Sequence, residues 1–170
     1  MTIAFSFPER GNAPCEQVDN GGDHISSGLI NMGNSGDAGE GGRLSDGSPC
    51  LLHGCVACCL ETEMPLTEDD LKRIEKLGFK RVEFSIRVEG ETRLRNRDKV
   101  CFFLEEGKCR IYPSRPEGCT IYPLVYDIDS HKFVYDTVCP HDKEFKATRE
   151  DKERLKRLIR RLEKEDVKVA

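Results

Sequence analysis

Apolar residues along the chain fall into two helical stretches and several short alternating runs. Leu71, Ile74 and Leu77 share a helical face after Thr67-Glu68-Asp69-Asp70, which reads as a helix N-cap with acids in the first turn, and Gly78 is the stop. Val82, Phe84 and Ile86 alternate with Glu83 and Ser85 before Glu89-Gly90-Glu91, predicting a half-buried strand and a turn. A second strand over Val100–Leu104 is expected to return through Cys109–Tyr112 across Glu105-Glu106-Gly107-Lys108, a hairpin that would set Cys101 and Cys109 on neighbouring strands. Pro113–Cys119 has its prolines and glycine where a tight turn or single helical turn belongs. Thr120–Tyr126 then pairs with Lys132–Tyr135 across Asp127–Ser130, leading to Cys139-Pro140-His141. Leu155, Leu158, Ile159 and Leu162 form one stripe of a closing amphipathic helix over about Thr148–Asp166, whose mixed charges read as a solvated face.

Gly11–Ser48 shows neither periodicity, and ten of the fifteen glycines lie before Pro49. Such a segment cannot repay the entropy of ordering, so residues 1–48 are expected to be a disordered tail, with Cys15 in it as a non-ligand thiol. The predicted fold is α+β: a small metal-stapled single domain over 49–168, with short β-hairpins, a short helix after the cysteine loop and the C-terminal helix. A chain of 170 residues with 37% hydrophobic content suits one compact domain plus a tail.

The start lacks the basic opening and long apolar middle of a secretion signal, and no apolar run reaches 18 residues, so a cytoplasmic protein without membrane contact is expected. Seven acids against two bases precede Pro49, so the tail carries −5 against a net charge of −4 and the remainder is nearly neutral at +1. Nothing in that balance argues for nucleic acid as a partner.

Chemistry concentrates in the nine cysteines. Cys55-Val56-Ala57-Cys58-Cys59 puts three thiols within five residues, and Cys101, Cys109, Cys119 and Cys139 follow, each beside a turn or a short apolar run. A reducing compartment makes clustered cysteines metal ligands before disulfide partners. The Cys55–Cys58 spacing lets two thiolates reach one metal from a single loop. Adjacent side chains diverge, so Cys59 either reaches a larger iron-sulfur cluster or second metal, or packs inside. Sulfur-only donors fit iron-sulfur and zinc equally, and the thiol count with the Cys58-Cys59 pair favours the cluster.

The blocks Cys55-x2-Cys58-Cys59, Cys101-Phe102-Phe103-Leu104, Gly107–Tyr112 and Ser114–Cys119 with Tyr122-Pro123 resemble the YkgJ-type cysteine-cluster family of zinc- or iron-chelating domains. The resemblance runs from about Cys50 to Cys139 and implies Cys55, Cys58, Cys59, Cys101, Cys109, Cys119 and Cys139 as ligands. The pattern is similar to that of flagellin lysine methylases, thought to carry an iron-sulfur cluster, and some archaeal relatives are labelled iron-sulfur oxidoreductases. Leu52 stands where relatives often place a leading cysteine, Val56 where they place glycine, and Cys50 sits two residues early, so its ligand role stays open. Thr120 replaces a basic residue that often follows the third-block cysteine. Arg115 is a cofactor-binding candidate whose planar fork suits a cluster sulfide, a carboxylate partner or the carbonyls of its own turn. His53 and His141 read as surface or capping residues that could replace a sulfur. Cys139-Pro140 is similar to the end of ferredoxin ligand runs.

The expected function is metal binding by an iron-sulfur cluster, four-iron four-sulfur favoured, or by zinc, serving electron transfer, metal handling or redox sensing. An electron-transfer or enzyme protein is the partner such a role implies. Two alternatives are a zinc-stapled interaction module without redox chemistry and a metal-free thiol-disulfide switch. No G-x-G-x-x-G, P-loop or H-E-x-x-H is present, so the reading leans away from an enzyme. If there is activity, an iron-sulfur oxidoreductase or an accessory to methyl transfer is the class implied by the resemblance.

Overall fold

The computed structural model describes residues 42–44 and 47–167. Helix α1 (Ser48–His53) starts with Pro49, whose missing N–H costs nothing in a first turn, and ends at Gly54 with φ of 59°. A 3-10 turn, Ala57–Cys59, follows. In α2 (Glu68–Glu75) the predicted cap is present: Asp70 N donates to Thr67 Oγ1 and Thr67 N donates to Asp70 Oδ2, both at 3.1 Å. Leu71 and Ile74 are buried, while Leu77 lies beyond the helix and is exposed.

The strand expected from Val82 begins later. Arg81–Phe84 closes a helical turn, α3, because Lys80 N donates to Glu83 Oε2 and Ser85 Oγ donates to Arg81 O, each at 2.7 Å. These local bonds override the alternation, burying Phe84 fully and leaving Val82 75% exposed. Strands β1 (Ser85–Val88) and β2 (Glu91–Leu94) then pair across Glu89-Gly90, both at positive φ, as a tight hairpin requires.

The single hairpin expected between Cys101 and Cys109 is two hairpins. Strand β3 (Asn96–Arg97) pairs with β4 (Val100–Cys101), and β5 (Leu104–Glu105) pairs with β6 (Lys108–Cys109). The cause lies in Phe102 and Phe103, which are both buried. Consecutive residues of a strand point to opposite faces, so a half-exposed ribbon cannot bury both and the strand breaks there. Cys119 is carried not by a loop but by the short helix α4 (Glu117–Ile121), reached through a 3-10 turn at Tyr112–Ser114. The last hairpin, β7 (Leu124–Asp127) with β8 (Lys132–Tyr135), lies close to its expected place. So does α5 (Arg149–Val167), capped by Thr148 and Asp151 and burying Leu155, Leu158 and Leu162. The architecture is α+β, and no helix among the described residues is long and apolar enough to cross a membrane.

Among the described residues the four hairpins do not join into a sheet, and a lone two-stranded hairpin is marginal in water. Their burial is divided between two apolar clusters. One gathers Leu71, Ile74, Phe84, Leu94, Phe102, Phe103 and Ile111; the other gathers Leu44, Ile121, Leu124, Phe145 and the α5 leucines. Leu44 belongs to the second cluster, and Gly42 N donates to Glu144 O at 2.8 Å. Ordered packing therefore reaches into the stretch read as tail; the rest of that stretch, with Cys15, lies outside the described residues.

One buried carboxylate clamps the two halves of the chain. Asp70, 1% exposed, accepts from Thr67 and Arg73 within its own helix and from Glu117 N at 3.0 Å in the first turn of α4. Arg73 continues the clamp to Arg115 O at 3.0 Å. Asp70→Ala strands several of these donors in a dry site, so unfolding in urea at fixed metal load is expected to show a loss of about 2–3 kcal/mol.

Candidate metal centre

The two apolar clusters meet over sulfur. Cys59, Cys101, Cys109 and Cys119 pack with the first cluster, and Cys50, Cys58 and Cys139 pack with the second. The 3-10 turn at Ala57–Cys59 lies on the boundary: Cys59 packs with the first cluster and Cys58 with the second, and the two thiols stay within hydrogen-bond reach of each other. Between the clusters lies a cavity of about 400 Å³. Cys50, Cys55, Cys58, Cys59, Cys101, Cys109 and Cys119 are all on its wall, with Arg115, Tyr112 and Tyr122.

Of the sulfurs expected to ligate, Cys139 alone is not on that wall. It is buried behind it and interacts with Cys50 and Cys58. Position 52, where the resemblance implied a leading cysteine, holds a leucine 80% exposed at the surface of α1, whereas Cys50 faces the cavity. All eight described cysteines carry thiols rather than disulfides.

Each pair within the set Cys58, Cys101, Cys109 and Cys119 is close enough for electrostatic interaction. These four come from four separate elements: the 3-10 turn, β4, β6 and α4. Cys101 and Cys109 thus approach each other although they belong to different hairpins. The spacing is wide, however. Among the described residues no three sulfurs all lie within 4.8 Å of one another, whereas thiolates on one tetrahedral zinc stand ~3.8 Å apart, as Zn–S bonds of about 2.3 Å dictate.

Five of these thiols have pKa values raised in favour of the protonated form. A hydrogen bond from Cys58 to Cys59, followed by burial, pushes the Cys58 pKa well up. Burial does the same at Cys119 and Cys109, raises Cys101 to about 11 and raises Cys139 to about 12. The Arg115 guanidinium opposes the rise at Cys58, Cys109 and Cys119. It is held in place by its own turn: Nη1 donates to Tyr112 O at 3.0 Å, Nε to Cys119 O at 3.5 Å, and the group lies 4.1 Å from the Tyr112 ring centroid. Arg115 is therefore a brace and a fixed positive charge beside the sulfurs.

Tyr112 and Tyr122, both inside the blocks that carry the family resemblance but not expected there as site residues, join the wall. Burial, then Asp136, keeps the Tyr122 phenol protonated. His53 and His141 do not line the cavity; both turn to Glu144.

Residues 49–150, more than half of the chain, match the model of the CxxCxxCC family, described as "Putative zinc- or iron-chelating domain". No curated protein and no solved structure matches the chain. The family pattern falls on positions 52, 55, 58 and 59, with Leu52 in place of its first cysteine.

Because burial raises these pKa values above that of an unfolded thiol, the folded metal-free chain keeps protons that the unfolded chain releases. The thiol contribution to stability is then full below pH ~8.5 and is lost as pH rises toward the folded values. Thermal unfolding of reduced, metal-free protein is expected to show a falling Tm across that window. The metal-loaded protein, whose sulfurs are already deprotonated, is expected to lose less.

Proposed function

Because the chain belongs to the CxxCxxCC family of zinc- or iron-chelating domains, we propose that its cavity holds an iron-sulfur cluster on Cys58, Cys101, Cys109 and Cys119. The supporting observation is the combination of seven thiols lining a cavity of about 400 Å³ with no three of the described sulfurs within 4.8 Å of one another. Four cysteine thiolates are the usual complement of a four-iron four-sulfur cluster. Bound there, the cluster would supply one-electron chemistry.

The chain's own residues set the conditions. Arg115 places positive charge beside thiolates that burial disfavours, and the two apolar clusters flank the site. Low solvent exposure and few charges tune a cluster's potential. Cys55 and Cys59 stand on the same wall as further sulfurs, and Cys139 lies behind Cys58. The role that fits is electron transfer or redox sensing in a reducing compartment such as the cytoplasm, with a protein partner at the exposed Leu51 on the cavity's edge.

Protein prepared without oxygen is expected to be brown, with about four irons and four acid-labile sulfides per chain, consistent with such a cluster. Serine in place of Cys58, Cys101, Cys109 or Cys119 should each abolish most of the visible absorbance, while Cys139→Ser should keep it. Colourless protein carrying tightly held zinc would replace this reading with the zinc-stapled module, and neither metal with linked cysteines would favour the thiol switch.

A further inference from the structure

Outside the cysteine cavity, His53, His141 and Glu144 each contribute one donor atom, and the three atoms all lie within 4.8 Å of one another. The residues come from distant parts of the sequence. His53 ends α1, two residues before Cys55; His141 follows Cys139 by two; and Glu144 closes the 3-10 turn Asp142–Glu144. His53 Nε2 and His141 Nδ1 donate to different oxygens of the one carboxylate, each at 2.9 Å. The two imidazoles are stacked with centroids 4.0 Å apart and planes within 1°. Glu144 is held from behind as its carbonyl accepts from Gly42 N at 2.8 Å.

We infer that His53, His141 and Glu144 form a second metal site, separate from the cysteines, for a zinc-like divalent ion. Two imidazoles and one carboxylate are a recurrent three-ligand set for zinc, with a fourth position left to water. Bond lengths of about 2.0–2.1 Å put adjacent donors of a tetrahedral ion ~3.3 Å apart. The present N···O separations of 2.9 Å are close to that. Since each lone pair lies in its own ring plane, an ion taking both nitrogens would replace the two hydrogen bonds and turn the more exposed His53 ring out of the parallel stack. Imidazole donors select against magnesium and calcium, which prefer oxygen alone. Side-chain exposures of 38% at His53 and 44% at Glu144 keep the fourth position open to solvent, and His141 at 15% anchors the set to the protein. The buried Nε2 of His141 has no hydrogen-bond partner among the described residues, so the ring's polar contact is the one from Nδ1 to Glu144.

This inference does not depend on what the cysteines hold, and one experiment keeps the two apart. Full-length, tag-free protein, prepared without oxygen and with its cysteine centre as isolated, is titrated with Co(II) against a competing chelator. Expected is one further equivalent with the weak visible bands of nitrogen- and oxygen-bound cobalt, displaced by zinc. His53→Ala and Glu144→Gln should each lower its affinity at least about 10-fold, since loss of even an outer-shell partner costs 10–100-fold. His131→Ala, at an exposed turn away from the three residues, should leave it unchanged. The His53 and Glu144 side chains are largely at the surface, so circular dichroism should show both variants folded. Uptake with sulfur-to-cobalt charge-transfer bands, no further equivalent, or equal affinity in the His53 and Glu144 variants would each overturn the inference.

Discussion

The structure depends on how two small apolar clusters are joined. Neither has a sheet beneath it, because the strands form four separate pairs, and hydrophobic burial alone is thin where two-residue ladders carry the chain. Sulfur occupies the boundary that hydrocarbon would fill in a larger domain. Its thiols are unfavourable as buried charges until a metal neutralises them, so occupancy and cohesion are linked. A structural metal in small domains contributes on the order of 10–16 kcal/mol, comparable to the whole stability of an ordinary domain at roughly 5–15 kcal/mol. The clamp at Asp70 works beside this, fixing α2 to the turn that presents Cys119.

Long, periodic elements were legible in the sequence. The Thr67–Asp70 cap, the α5 stripe and the Glu89-Gly90 turn are all where local chemistry put them. Elements of two residues were not, since a strand that short has no period to read. Phe102-Phe103 decided the pairing by entering the core together, and Glu83 decided the α3 turn by reaching back to Lys80. Both outcomes rest on contacts that alternation does not encode.

For the site, residue identity was readable and arrangement was not. The density of cysteines announced metal chemistry, whereas the packing of the neighbouring Cys58 and Cys59 with different clusters, their thiols still hydrogen-bonded, is a tertiary outcome. That Cys139 stands behind the cavity wall, and that Cys50 rather than position 52 faces it, depends on how α1 and the segment after β8 pack against α5. The contact between His53 and Glu144 spans 91 positions of sequence, beyond the reach of any local pattern.

The boundary position of the Ala57–Cys59 turn also limits how the chain can vary. Adding one residue between Cys55 and Cys59 would rotate one sulfur out of its cluster, because successive side chains there serve opposite sides. The Glu89-Gly90 tip projects from a ribbon that bears no cysteine, so extra length could be accommodated there without disturbing the interior. Insertions and deletions among relatives should therefore be concentrated at that tip and scarce within the cysteine loop.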